Sequence, residues 1–280
     1  MRFADRLTEA VKEYGPLCVG IDPRVDMLPK AYEPNAEGVA AFCLKVLELV
    51  RPYCGVVKPQ AAFFEQLGTP GFAAMQAVMD RAKEMGFVTI LDAKRGDIAS
   101  TAQAYAEAAF ETWNADCLTV NPYLGRDSVE PFLSVARKAK PQRGLFVLVR
   151  TSNPGGGLFQ NLNCDGQPLY RRVATEVAAW NDEQLGECGL GDVGAVVGAT
   201  NPKELVELRQ AMPRVWFLVP GYGAQGGTAE DAKTAYLPNG LGAVVNSSRG
   251  VVFPFKPDDV GWEAKVVAAA KKAQAELKPS

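Results

Sequence analysis

The sequence predicts a single (β/α)8 barrel of the TIM type, occupying residues 1–280 as one domain. Three observations lead there: eight short runs that are apolar almost throughout, helix-like segments between them, and polar residues gathered at the C-terminal ends of the runs. A strand covered on both faces reads as a continuous apolar run, whereas a sheet with one wet face alternates.

The elements follow in order. The opening segment MRFADRLTEAVKEYG places Phe3, Leu7 and Val11 at helical spacing, and its scattered charges describe an amphipathic helix rather than a signal peptide. The strand-like runs are LCVGID (17–22), CGVVK (54–58), FVTILDAK (87–94), CLTVN (117–121), GLFVLVR (144–150), VGAVVGA (193–199), VWFLVP (215–220) and LGAVVNS (241–247). Residues 36–50 set Val39, Phe42, Val46 and Leu49 on one helical stripe. Shorter helical segments cover 203–211 and 228–236, and Trp262, Val266, Ala269, Ala273 and Leu277 line the last helix. The longest interruption, 151–168, is rich in Gly, Asn and Pro and reads as a lid over a site. An open doubly wound sheet fits the same alternation and stays an alternative, because closure leaves no mark in a sequence.

Composition narrows the chemistry. The chain has 280 residues and no histidine, which removes Ser-His-Asp triads, HExxH zinc sites and every imidazole acid or base. A proton handled near neutral pH must then pass through a carboxylate, lysine, cysteine, tyrosine or water. With 30 basic against 32 acidic side chains there is no overall basic field, so nucleic acid is not the expected partner. The six cysteines form no CxxC pair, and Cys18, Cys54 and Cys117 sit at or near the starts of apolar runs, as small buried residues do. A reducing, cytoplasmic setting is expected, and no apolar run approaches the roughly 18 residues needed to span a bilayer.

In a barrel the chemistry gathers at the C-terminal strand ends. Those ends carry Asp22, Lys58, Asp92 with Lys94, Asn121, Thr151 with Ser152, Thr200, Gly221, and Ser248 with Arg249. Within LDAKRGDIAST, Asp92 and Lys94 are two apart and leave a strand on the same face, and Asp97 follows across a turn at Gly96. If Lys58 lies on the adjacent strand, two ammonium and two carboxylate groups alternate, each lysine favoured in its charged form. The plainer alternative is a buried ion-pair network that closes the barrel, although burying four charges is costly. The second signal, PGYGAQGG, places Gly221, Gly223 and Gly226 in a GxGxxG pattern. Only one strand follows it, so no dinucleotide-binding half-sheet can be built. The same glycines with Arg249 suit a phosphate held after strands seven and eight, as barrels of this class often hold one.

The order GIDPR, VVKPQ, LDAKRGDIASTA, RTSNPG, PGYGAQGG and NSSRG, spread over essentially the whole chain, resembles the orotidine 5′-phosphate decarboxylase family in its longer, bacterial-type branch. The central D-x-K-x-x-D-I stands as Asp92, Lys94, Asp97 and Ile98. That resemblance implies a (β/α)8 lyase of pyrimidine biosynthesis. It would release CO2 from orotidine 5′-monophosphate to give uridine 5′-monophosphate (UMP), the last step of UMP synthesis, with no metal or organic cofactor. It also implies a homodimer with active sites at the subunit interface. Lys94 resembles the proton donor to C6, Asp92 the carboxylate facing the substrate carboxylate, and Lys58 the lysine that contacts the ribose. Asp97 and Thr101 resemble residues lent to the neighbouring subunit's site. Asp22 resembles the ribose-hydroxyl ligand, Ser152 the pyrimidine contact, and Gln225 with Arg249 the phosphate pair.

Other readings stay open from sequence. One is a magnesium-dependent enzyme of sugar phosphates sharing D-x-K-x-x-D, which Lys58 at a strand end disfavours by repelling a cation. Another is a nucleotide-binding protein that kept the barrel and lost catalysis. A fused orotate phosphoribosyltransferase is not expected, because the barrel consumes the length available.

Overall fold

The computed structural model describes residues 1–223 and 225–279. Eight parallel strands close a barrel: β1 (Leu17–Ile21), β2 (Val56–Pro59), β3 (Val88–Arg95), β4 (Cys117–Val120), β5 (Gly144–Arg150), β6 (Val193–Val197), β7 (Phe217–Val219) and β8 (Ala243–Ser247). The first and last strands pair, Leu17 against Val245 and Val19 against Ser247, which removes the open-sheet alternative. Helices follow the strands and cover the outside.

Alternation along the strands separates two cores. Leu17, Val19 and Ile21 of β1 face the helix layer, together with Val57, Leu91 and Leu118. Their neighbours Cys18, Val56, Ile90, Cys117 and Phe146 fill the barrel's inside. The opening helix (Phe3–Tyr14) belongs to that inner cluster and closes the end of the barrel remote from the C-terminal strand ends. Phe3 meets Phe146 edge to face at 6.3 Å and lies against Gly144, where an added Cβ would come within 2.1 Å of its ring. Gly194 similarly yields its space to the Phe146 ring. With one end filled by aromatic and aliphatic groups, only the C-terminal strand ends remain open for a ligand.

The helices show where period counting slips. The last helix (Trp262–Leu277) buries Ala270 rather than Ala269, because successive steps of four, four, three and four keep 262, 266, 270, 273 and 277 on one stripe. In the helix Ala36–Val50, Leu49 is half-buried and Val50 takes the core position. The segment 228–236 is helical only over Ala229–Lys233, started by a capping box between Thr228 and Asp231. The stretch 151–168 folds as a 3-10 turn (Pro154–Gly156), a single helical turn (Gly157–Gln160) and a short two-stranded ribbon. Cys18, Cys43, Cys54 and Cys117 are buried and all six cysteines are free thiols. Among the described residues no helix is long and apolar enough to cross a membrane.

Candidate active site

Inward-facing positions change character towards the C-terminal strand ends. Val56 is followed two residues on by Lys58, Ile90 by Asp92, and Cys117 by Thr119, so each strand ends its apolar interior with a polar side chain. These three line a cavity of about 620 Å3, within the range usual for small-molecule sites.

Asp92 is its centre. Its Oδ2 accepts from Lys58 Nζ at 2.6 Å and Gln60 Nε2 at 3.0 Å; its Oδ1 accepts from Lys94 Nζ at 2.7 Å and Thr119 Oγ1 at 2.9 Å. Four donors on two oxygens meet the acceptor capacity of a carboxylate in full. Burial alone would raise the Asp92 pKa, yet the Lys58 and Lys94 ammonium groups reverse this and hold it well below the usual carboxylate range. For Lys58, burial alone would lower the pKa, but Asp92 and then Asp22 outweigh it and keep the ammonium above the usual lysine range. Asp22 Oδ1 lies 3.9 Å from Lys58 Nζ and has no hydrogen-bond partner among the described residues. The Cys18 thiol, deeper in the barrel, is pushed far up by burial and is no proton carrier near neutral pH.

Lys94 reaches Asp92 through an irregular strand. The β3–β4 ladder pairs Leu91 with Leu118 and then Arg95 with Val120, so Asp92, Ala93 and Lys94 all face Thr119. Lys94 takes a left-handed backbone conformation, φ +46°, which costs a non-glycine residue about 1–2 kcal/mol.

The opposite wall of the cavity is built from the later strand ends. Ser152, Gly221, Gln225, Ser248 and Arg249 line it, so the predicted pyrimidine and phosphate residues share one space with Lys94. Gly198 gives Ser152 its place, since an added Cβ would come within 2.7 Å of the Ser152 side chain. Gly221 is at φ +98° and Gly223 at φ +74°, conformations that favour glycine, and the turn is closed by Gly227 N–H donating to Gly221 O. Gln225 and Arg249 are exposed, and among the described residues no carboxylate lies within 4 Å of Arg249.

Asp97 and Thr101 stand apart. Asp97 Oδ1 accepts from Ile98 N at 2.8 Å, Thr101 is exposed on the helix Ala99–Glu107, and neither lines the cavity. The four-charge alternation read from spacing is therefore, within one chain, Lys58–Asp92–Lys94, with Asp22 beside Lys58. Asp97 lies in the short connection between the end of β3 and the helix Ala99–Glu107, outside the cavity lining.

The family model described as the orotidine 5′-phosphate decarboxylase / HUMPS family matches residues 15–257. The chain belongs to this family. A relative named orotidine 5′-phosphate decarboxylase from Rhodopirellula baltica is 46% identical, over 99% of this chain and 99% of its own. The solved structure of Leishmania donovani OMP decarboxylase is similar with a TM-score of 0.81 and 37% identity, over 99% of this chain and 97% of that one. That of Leishmania donovani UMP synthase has a TM-score of 0.84 and 40% identity; this chain spans 56% of its length.

Sequence reasoning for this member of the decarboxylase / HUMPS family overlooked Gln60, Thr119, Tyr222 and Asn246, all in the cavity wall. Gln60 was findable, since it follows Lys58 by two in VVKPQ and shares its face. Thr119 is the one polar side chain inside the apolar run CLTV. Tyr222 carried no such signal. Its hydroxyl donates to Glu276 on the last helix at 2.5 Å, a contact 54 residues away in sequence.

Proposed function

We propose that this chain decarboxylates orotidine 5′-monophosphate to UMP and CO2 without metal or organic cofactor, with Lys94 delivering the proton to C6. The observation that carries this reading is Asp92 held between two lysine ammonium groups at the head of a cavity whose far wall presents Gln225 and Arg249.

Loss of CO2 breaks the bond from C6 and leaves its electron pair in the ring plane, where no adjacent π-system delocalises it. Stabilisation must therefore appear mainly in the transition state. Lys94 Nζ, a cation beside the reacting carbon, stabilises the developing carbanion and then transfers one N–H proton to C6. Asp92, faced by the substrate carboxylate, meets a like charge that disappears as neutral CO2 departs. Two unit charges 4 Å apart interact by roughly 4 kcal/mol at an effective dielectric of 20, a repulsion that binding elsewhere must offset. Phosphate held by Gln225 and Arg249 supplies that binding energy remote from C6. Asp22 and Lys58 take the ribose hydroxyls and Ser152 the pyrimidine edge.

The reading extends to a homodimer in which Asp97 and Thr101 complete the neighbouring subunit's site. Their position outside their own chain's cavity supports this. The unit is a single barrel domain of cytoplasmic setting, in keeping with six unpaired thiols. A magnesium site is poorly served at Asp92, because both oxygens already face ammonium groups that repel a dication.

The test is the orotate chromophore. Purified protein incubated with orotidine 5′-monophosphate removes its ultraviolet absorbance at the same rate with and without EDTA. An unchanged spectrum overturns the reading, and turnover that requires Mg2+ favours the sugar-phosphate branch instead.

A further inference from the structure

We propose that Thr119 is a positioning residue for the decarboxylation assigned above: its hydroxyl sets where Lys94 enters the site. The inference rests on that assignment. Three atoms converge on this one oxygen. Thr119 Oγ1 donates its proton to Asp92 Oδ1 at 2.9 Å and accepts from Ala93 N at 3.0 Å and Lys94 N at 2.9 Å. One donor and two lone pairs are the whole capacity of a hydroxyl, and all are used.

The placement matters because of what happens to the strand there. The ladder is interrupted between Leu91 and Arg95, so the N–H groups of Ala93 and Lys94 have lost the carbonyl partners a regular strand would offer. Thr119 replaces both with a side-chain acceptor, and its fixed position on β4 ties the irregular backbone to the carboxylate that Lys94 must meet. Lys94 itself is about half exposed, with a left-handed backbone. Its long side chain has many rotamers, so the direction in which the backbone launches it decides where the ammonium spends its time. Thr119 is 1% exposed and pairs in register with Phe146, so it is held rigidly enough to act as the reference point. Its own contact with Asp92 orients the carboxylate that receives Lys94 on the same oxygen.

Thr119→Val keeps the volume and β-branching and deletes the hydroxyl. Thr119→Ser keeps the hydroxyl and deletes the methyl group. Misplacing a reacting group by about 1 Å can cost about 100-fold in rate. Thr119→Val is therefore expected to lower kcat about 100-fold, with KM and the affinity for UMP within about threefold of wild type. Thr119→Ser is expected to recover kcat to within about tenfold. Should the valine variant not fold, Thr119→Ala makes the same deletion without steric load. A folded hydroxyl-free variant with kcat within about threefold of wild type overturns the proposal. So does a parallel loss of kcat and UMP affinity with a lowered Tm, which is the signature of a residue that only supports the sheet. Wild-type protein inert towards orotidine 5′-monophosphate would instead remove the functional assignment itself, which separates the two failures.

Discussion

At the scale of single residues, the site is an exercise in charge held by opposite charge. Lys58 and Asp92 are both almost fully covered, and either one alone would be penalised by burial. Removing one partner of a buried pair commonly costs about 3–5 kcal/mol, since the other charge is left uncompensated. Asp92→Asn is accordingly expected to lose turnover and, in urea unfolding, to be less stable by about 3–5 kcal/mol. The pH dependence has a definite sign. Asp92 titrates lower in the folded chain than in the unfolded one, so its contribution is present above the unfolded carboxylate range and is lost as pH falls through the folded value. Lys58 titrates higher when folded, so its contribution is complete below the unfolded lysine range and is lost only as pH rises beyond it. Urea midpoints measured for wild type should therefore fall on acidification below about pH 4. Asp92→Asn should show a shallower acid dependence, and an identical slope would remove Asp92 from the account.

Elements convert these residues into a site. Strands deliver pairs two residues apart to one face, which is how Lys58 arrives with Gln60, whereas Asp92 meets Lys94 across the irregularity in β3. The turn after β7, closed through glycines in left-handed conformations, carries Gln225, and Arg249 opens the short helix Arg249–Val252 after β8. The segment 151–168 is tethered to β5: Gln160 accepts from Thr151 N at 3.0 Å and from Arg150 Nη1 at 3.1 Å, and donates to Thr151 Oγ1 at 2.8 Å. That anchors the segment beside Ser152. If Arg249 serves the phosphate, Arg249→Ala removes a charge-assisted contact of about 1.5–3 kcal/mol, or roughly 10- to 100-fold in kcat/KM for orotidine 5′-monophosphate. Orotidine, which lacks phosphate, should be turned over by this variant at its wild-type rate. Equal losses for both substrates would place Arg249 in some other role.

The whole molecule raises the question of what one chain lacks. Asp97 and Thr101 do not line their own chain's cavity, as residues given to a second copy would not. Lys94→Ala is expected to abolish turnover while the protein stays folded, and Asp97→Ala to impair the partner's site. Mixed after dissociation, the two inactive variants should regain about a quarter of wild-type activity, because half of the dimers then contain one intact site. Mixtures that stay inactive would mean that each chain builds its site alone.

The eight strands, the N-terminal helix and the charged strand ends were legible because local periodicity writes them directly into residue order: apolar runs for doubly covered strands, steps of three and four for helices. The candidate charges at Lys58, Asp92 and Lys94 were legible for the same reason, being polar residues where a buried run should have continued. Their pairing with one another was expected from spacing, but its geometry was not. Closure of β1 on β8, the β3 irregularity that turns Lys94 towards Asp92 and the Thr119 hydroxyl beneath it all join segments far apart in the chain or break a regular register. The sequence by itself determined which chemistry was possible, a lysine and carboxylate chemistry without imidazole. Only the tertiary structure decided the geometry, because register and side-chain direction are settled by packing between strands rather than within them.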